Sequence, residues 1–286
     1  VARYIPADIN FVQTRHDQGS DCLINIRFRK DGICTTLDPA ECAFCRTPHP
    51  NALQRAVSTA AVIRFRQEVA DGFRRHKTVF VSDMLKRNCA RTVSSASRGA
   101  TVHNFIDTES LQRARAASAP MPTDEIHVFS AAKIYPAKGV EVFLRELAPR
   151  LPANMRVTIA GDGPDEDRLT AQFGGSQIRF VGWCTPERTL QMAASAHAIV
   201  VPSLCEESCG STILEGLLLG KPTFALARGA TPELAVYAAS PAQFRLHRDM
   251  ASLVQDLVSF DAHIGFNAVP DEMSGAKRAV QHLLQI

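Results

Sequence analysis

The chain of 286 residues contains no apolar run near the roughly 18 residues that a helical membrane crossing needs. That excludes a spanning helix as its organising feature. Strong charge bias is also missing: 32 Lys and Arg against 29 Asp and Glu leave a formal +3, too little to argue for a nucleic-acid partner. The chain opens on Val1, with neither Met nor a signal-like segment, which suggests a fragment or a processed end. Its eight cysteines lack the even framing of a disulfide scaffold. Cys22, Cys34, Cys42 and Cys45 crowd the first stretch, while Cys89, Cys184, Cys205 and Cys209 are dispersed. In a long chain with an α/β pattern, this reads first as reduced cytosolic thiols, with no metal or cofactor expected. The short pair Cys42-Ala-Phe-Cys45, with Cys22, Cys34 and His49 nearby, offers structural zinc as the other reading, although its intervals are irregular.

What remains is ordinary for a globular protein: 45% hydrophobic and 21% charged residues, in a length that predicts two domains of roughly 150 residues each. Residues 1–50 carry little pattern. Ile9–Val12 reads as the end of one strand and Cys22–Phe28 as another. Asn51–His76 reads as a helix with Leu53, Val57, Ala60, Ala61 and Phe65 on one side. Its basic end (Arg64, Arg66, Arg74, Arg75, His76, Lys77) fits a solvated helix C-terminus. Contact with an anionic membrane surface or a phosphorylated acceptor stands beside that reading. Thr78–Ser82 is a buried strand, Asp83–Arg91 a helix capped at Ser82 or Asp83, and Ala100–Val102 a short strand. Thr108–Thr123, rich in Ala, Ser, Arg and Pro, reads as a linker. The expected divisions are an N-terminal region 1–110, a linker 111–124 and a C-terminal domain 125–286.

After the linker, strands and helices alternate regularly. Ile126–Ala131, Arg156–Ala160 and Ile178–Val181 are strands; Gly139–Leu147, Asp165–Phe173 and Glu187–Ala196 are helices. Further helices begin at Glu233 and at Met250, and the tail Ser274–Gln285 is helical. Repeated β–α units predict an α/β fold with a doubly wound parallel sheet.

The organising stretch is Ala198–Leu226. An apolar strand ends at Pro202, a loop carries Glu206 and Glu207, and Gly210 precedes a helix with Ile213, Leu214, Leu217 and Leu218 on its apolar side. Open α/β sheets bind ligands at such strand ends. Gly210 lets backbone approach a ligand, and Ser211, Thr212 and Ile213 supply the unpaired N–H groups of a helix start, where a diphosphate fits. Glu207 and Glu215, eight residues apart, can accept bonds from sugar hydroxyls on either side. A solvated loop acid and a helix-dipole acid would show the same spacing. Lys133 and Lys138 follow the strand Ile126–Ala131 and precede the helix at Gly139, on the same rim. Two ammonium groups there attract a diphosphate and stabilise it as a leaving group; solvated loop lysines would look alike. Gly161-Asp162-Gly163-Pro164 is explained by a turn.

These stretches occur together. Phe129-Ser130-Ala131-Ala132-Lys133…Lys138-Gly139-Val140, Val157-Thr158-Ile159-Ala160-Gly161-Asp162-Gly163-Pro164, Phe180-Val181-Gly182 and Pro202-Ser203…Glu207…Gly210…Glu215 stand in the order and spacing of the GT-B retaining glycosyltransferases of family 4. The chain resembles that family over about residues 80–235. The resemblance implies a GT-B architecture with a partial or shortened Rossmann-like N-terminal domain and a last helix crossing back to it. It implies a nucleotide-diphosphate sugar as donor, a glycan or lipid-linked acceptor, and a cytoplasmic location at the inner membrane face with peripheral contact. Lys133 and Lys138 would hold the diphosphate, Glu207 the donor sugar and Glu215 the ribose. Gly163, Gly210, Ser211 and Thr212 would meet the phosphate region, and backbone at Val181 the base. Three departures stand out. Lys occupies position 133, where the family usually has Arg. Ala7 occupies a position that is often His, leaving Asp8 and Arg15 as candidates in the cleft. The first β–α units, with their Gly-rich loop, are missing. A non-catalytic nucleotide-sugar-binding relic and a nucleotide-sugar epimerase are the alternative functions.

Overall fold

The computed structural model describes residues 5–6, 9, 11–29, 32–45, 51–118 and 124–261, which divide into two units. The expectations placed on Ala7, Asp8, His49, residues 119–123 and the tail Ser274–Gln285 lie outside the described residues.

The first unit comprises the chain up to Asn104 together with the segment Cys205–Cys209. Its strands and helices are β1 (Val12–Arg15), β2 (Phe28–Arg29), β3 (Gly32–Ile33), α1 (Pro39–Phe44), α2 (Ala52–Arg75), β4 (Lys77–Phe80), α3 (Asp83–Ala90) and β5 (Ala100–Thr101). β1, β4 and β5 form a parallel sheet in the order β1-β4-β5, with Val12 opposite Lys77 and Val79 opposite Ala100. β2 and β3 form a separate antiparallel pair. The expected strand Cys22–Phe28 is therefore corrected: only Phe28 extends, and Asn25 and Arg27 have positive φ, which breaks a strand. α2 begins with a capping box between Asn51 and Gln54. Its buried residues are Val62, Gly72 and Phe73, whereas Leu53 and Val57 are 74% and 61% exposed, so the apolar side expected from Leu53 and Val57 is not the buried one. The Ser82 hydroxyl accepts a hydrogen bond from the Leu85 N–H at 3.2 Å and caps α3 as expected.

The second unit begins at Phe105. It opens on α4 (Thr108–Ala116), capped by the Asp107 carboxylate, where a linker was expected. Ala, Arg, Gln and Leu are strong helix formers, and burying Leu111 and Ala114, three apart, suffices for docking. There follow β6 (Ile126–Ala131), α5 (Val140–Leu147), β7 (Met155–Ala160), α6 (Glu166–Phe173), β8 (Ile178–Phe180), α7 (Pro186–Ala194), β9 (Ala198–Val201), α8 (Ser211–Leu218), β10 (Thr223–Leu226), β11 (Phe244–His247) and α9 (Met250–Val258). The turn at Thr231–Tyr237 is 3₁₀ rather than α-helical.

All six strands of this unit run parallel in the order β11-β10-β9-β6-β7-β8. The chain builds outward from β6 through β7 to β8, then returns to the other side of β6 with β9, β10 and β11. Alternate residues Val128, Val157, Ile159, Val200, Phe224 and Leu226 join α5, α6 and α9 in one buried cluster. α4, α7 and α8 form a second helical layer through the α4–α7, α7–α8 and α7–β6 packings. Each fully buried Phe or Leu side chain contributes about 1.5–3 kcal/mol, so this cluster gives the strand ends a rigid base. Among the described residues no helix is long and apolar enough to cross a membrane.

Candidate functional site

The strand order reverses between β6 and β9, and this switch point is where a parallel sheet leaves a crevice outside its carboxyl ends. The loop after β6 carries Lys133 and Lys138; the chain after β9 leads through Pro202 to the start of α8. The two are joined through backbone. The Leu204 N–H donates to the Ala137 carbonyl at 2.9 Å, and the Thr212 hydroxyl donates to the Ala131 carbonyl at 3.3 Å. Gly139 adopts φ 71°, and a Cβ there would stand 2.1 Å from the Pro202 carbonyl oxygen. Only glycine allows this approach. Gly139→Ala is expected to cost at least about 2 kcal/mol, from left-handed strain plus displacement of the Pro202 backbone. Thermal unfolding of the variant, compared with Val142→Ala on the exposed side of α5, measures it.

The loops after β6, β7 and β8 are laced together in the same way. The Ile134 N–H donates to the Asp162 carbonyl at 2.7 Å, and the Gly161 N–H to the Gly182 carbonyl at 2.8 Å. A Cβ on Gly161 or Gly163 would stand 1.9 Å from Ala132 O or 2.1 Å from Ile134 O. The Gly161–Pro164 stretch is thus more than a turn: its glycines let the β7 loop run against the lysine loop.

The carboxyl rim therefore brings together Lys133, Lys138, Gly163, Gly210, Ser211 and Thr212. Lys133 is exposed and Lys138 half-buried. Gly210 caps α8 without a side-chain bond. The Ile213 N–H already donates to the Gly210 carbonyl at 3.1 Å, which removes it from the expected set of unpaired donors. The N–H groups of Ser211 and Thr212, in the first two helical positions, have no helical acceptor. Glu215 lies one turn further on, half-buried, and burial alone pushes its carboxyl pKa above the usual range.

Val181 continues β8, its N–H donating to the Ile159 carbonyl at 3.0 Å. It lines a cleft of about 460 Å³ together with Phe129, Thr158, Arg179, Cys184 and Arg188. Two residues along stands Trp183, the one tryptophan of the chain, 67% exposed. Sequence reasoning passed over it, although an aromatic residue next to the expected base contact is a readable signal.

The acids of the β9 loop belong to the segment that clusters with the first unit. There Asn88 Nδ2 donates to Glu206 Oε2 at 2.8 Å and Gln18 Nε2 to the same oxygen at 3.5 Å. Glu207 is half-buried. Nothing in the spacing of the sequence separated the two acids' roles. Also in the first unit, Arg15 donates to Gln13 at 2.8 Å and lies over the Phe73 ring at 5.2 Å. Burial lowers its pKa.

Residues 125–258 match the family model described as glycosyl transferases group 1. No curated protein matches the chain by sequence. Among solved structures, HepE of Anabaena in complex with UDP-glucose is 16% identical, with a TM-score of 0.59 over 79% of this chain and 68% of that one. Sucrose-phosphate synthase of Thermosynechococcus elongatus is 17% identical, with a TM-score of 0.65 over 97% of this chain and 67% of that one. A glycosyltransferase of Rickettsia africae is 13% identical, with a TM-score of 0.55 over 73% of this chain and 64% of that one. The chain thus spans about two thirds of the length of these proteins. Their architecture is the GT-B α/β fold, and the segment 125–258, with its lysine loop and glycine-capped helix at the switch point, matches the model of the group 1 glycosyltransferases.

Proposed function

We propose that the protein is a retaining glycosyltransferase that moves a sugar from a nucleotide-diphosphate sugar to a glycan or lipid-linked acceptor. The observation that carries this reading is the meeting of the lysine loop and the start of α8 at the β6–β9 switch point. A pyrophosphate seated there meets two ammonium groups and the free N–H groups of Ser211 and Thr212. Glu215 accepts the ribose hydroxyls, the base lies by Val181 and Trp183, and Glu207 contacts the donor sugar. As the glycosidic bond breaks, negative charge grows on the departing diphosphate. Lys133 and Lys138 stabilise that charge in the transition state more than in the ground state, which is what accelerates the step. The diphosphate oxygen takes the acceptor's proton as the new bond forms on the same face, giving retention.

UDP and UDP-glucose are the first ligands to test, because HepE was crystallised with both. Binding of UDP is expected to change the emission of Trp183, with no other tryptophan to obscure it. At about 100 times its dissociation constant, UDP is expected to stabilise the protein by about 2.7 kcal/mol. A panel of nucleoside diphosphates that moves neither the emission nor the melting temperature at millimolar concentration would overturn the reading. Product analysis by NMR then separates α-retained transfer from epimerisation of the donor.

A further inference from the structure

The described residues between 18 and 45 form only short elements. They form a 3₁₀ turn (Gln18–Ser20), the two-residue strands β2 and β3, and the six-residue helix α1. Among the described residues, one hydrophobic cluster here is Cys42, Ala43 and Val62, with Leu23 packed against it, and Phe28 is buried too. A hairpin this short is not stable alone. A bound metal ion is one group that can fix such short elements to one another.

The cysteines are placed to do so. Cys22, Cys34, Cys42 and Cys45 come from a C-x11-C-x7-C-x2-C spacing, and all four line one cavity of about 20 Å³. That is little more than the room one water-sized sphere occupies. They arrive from three different pieces of local structure. Cys22 follows the 3₁₀ turn, its N–H donating to the Gln18 carbonyl at 2.9 Å. Cys34 follows β3, its N–H donating to the Arg27 carbonyl at 2.6 Å and so closing the hairpin. Cys42 and Cys45 lie three apart at the end of α1, on one helix face. The remaining four cysteines do not line this cavity.

The charge of the surroundings fits as well. Four thiolates around a divalent cation leave a net charge of −2, which cationic neighbours must offset. Arg66 Nη2 donates to Cys42 Sγ at 3.3 Å while its Nη1 holds the Leu37 carbonyl at 2.7 Å. Arg29 and Arg27 line the same cavity, Arg27 already paired with Asp21.

We infer that Cys22, Cys34, Cys42 and Cys45 form a tetrathiolate site for a structural zinc ion that ties the hairpin, the 3₁₀ turn and α1 together. Among the described residues no three His, Cys, Asp or Glu side chains already stand in a metal-holding arrangement, so binding draws the four sulfurs inward, to about 2.3 Å from the ion. Four thiols lose their protons to solvent, four Zn–S bonds form, and no oxidation state changes.

The experiment is metal analysis of the intact protein purified from zinc-supplemented cells. The expected result is about one zinc per chain, falling below ~0.1 in C22S, C34S, C42S and C45S and unchanged in C89S and C184S. Should the serine variants fail to fold, the wild-type protein decides alone. It is stripped by a chelator under reducing conditions and titrated with Co²⁺, then Zn²⁺. The expected signatures are thiolate-to-cobalt charge-transfer absorption, tetrahedral d–d bands, and protection of four thiols from a thiol reagent by Zn²⁺. Zinc retained in the serine variants overturns the assignment. So does a stripped protein whose melting temperature and thiol reactivity do not respond to Zn²⁺.

Discussion

Lys138→Ala in the intact protein is expected to lower the rate of sugar transfer about 10²- to 10³-fold, in kcat far more than in KM. The reason is where the charge sits before reaction. Lys138 is half-buried, and its loop is fixed on one side by the Leu204–Ala137 hydrogen bond and on the other by the contact of Gly139 with Pro202. A lysine whose backbone is held in that way has less to reorganise as the diphosphate departs, so more of its attraction falls on the transition state. Lys133 is exposed and its side chain has freedom to lose. Its removal is expected to cost less, on the order of 10-fold. Lys133→Arg is expected to keep or raise activity, because a guanidinium offers two parallel donors to a phosphate. Steady-state kinetics with a saturating donor decide the matter. A Lys138→Ala enzyme with unchanged kcat would remove the leaving-group role from this loop.

Much of the second unit was legible in the sequence, and the reason is periodicity. Ala198-Ile199-Val200-Val201 is a continuous apolar run of the kind buried parallel strands show, and Ile126–Ala131 is apolar except for His127 and Ser130. Val140, Phe143, Leu144 and Leu147 mark a helix face, and all four are buried. β11 was not legible: Phe244-Arg245-Leu246-His247 is short and half polar, and it becomes a strand because β10 offers it an edge. In the first unit, α2 misled for the opposite reason. Its apolar residues are spread around the helix, so spacing alone could not say that Val62 and Phe73 would be buried while Leu53 and Val57 faced solvent. At the candidate site, the residue types of the lysine loop and the α8 start could be read directly. What locks them together could not. That Gly139 touches Pro202, or that Gly161 and Gly163 press on Ala132 and Ile134, depends on φ angles and on strands distant in sequence. The same holds for the cysteines: a short pair is visible, but the convergence of Cys22 and Cys34 on it is tertiary.

Glu215→Gln is expected to raise the melting temperature while weakening nucleotide binding. In the folded protein, burial alone raises the Glu215 pKa; in the unfolded chain the group titrates at its ordinary value. Below that ordinary value both states are protonated, and the buried carboxyl costs nothing extra. As pH rises above that ordinary value, the unfolded chain gives up the proton while the poorly solvated native carboxyl keeps it, so stability falls until the raised folded pKa is passed. Gln is neutral throughout. At pH 7.5 it should therefore stabilise the second unit, and the advantage should vanish below the ordinary carboxyl pKa. Binding moves the other way. Ribose hydroxyls donating to an ionised carboxylate make charge-assisted bonds worth about 1.5–3 kcal/mol, so the variant should bind UDP about 10- to 150-fold more weakly. Wild-type affinity should climb as pH rises through the raised pKa, and the variant's should stay flat. Calorimetric titration at several pH values, beside thermal unfolding of the free proteins, reads both halves. A variant that gains stability yet binds UDP as tightly as wild type would show that the unpartnered acid on α8 serves something other than the ribose.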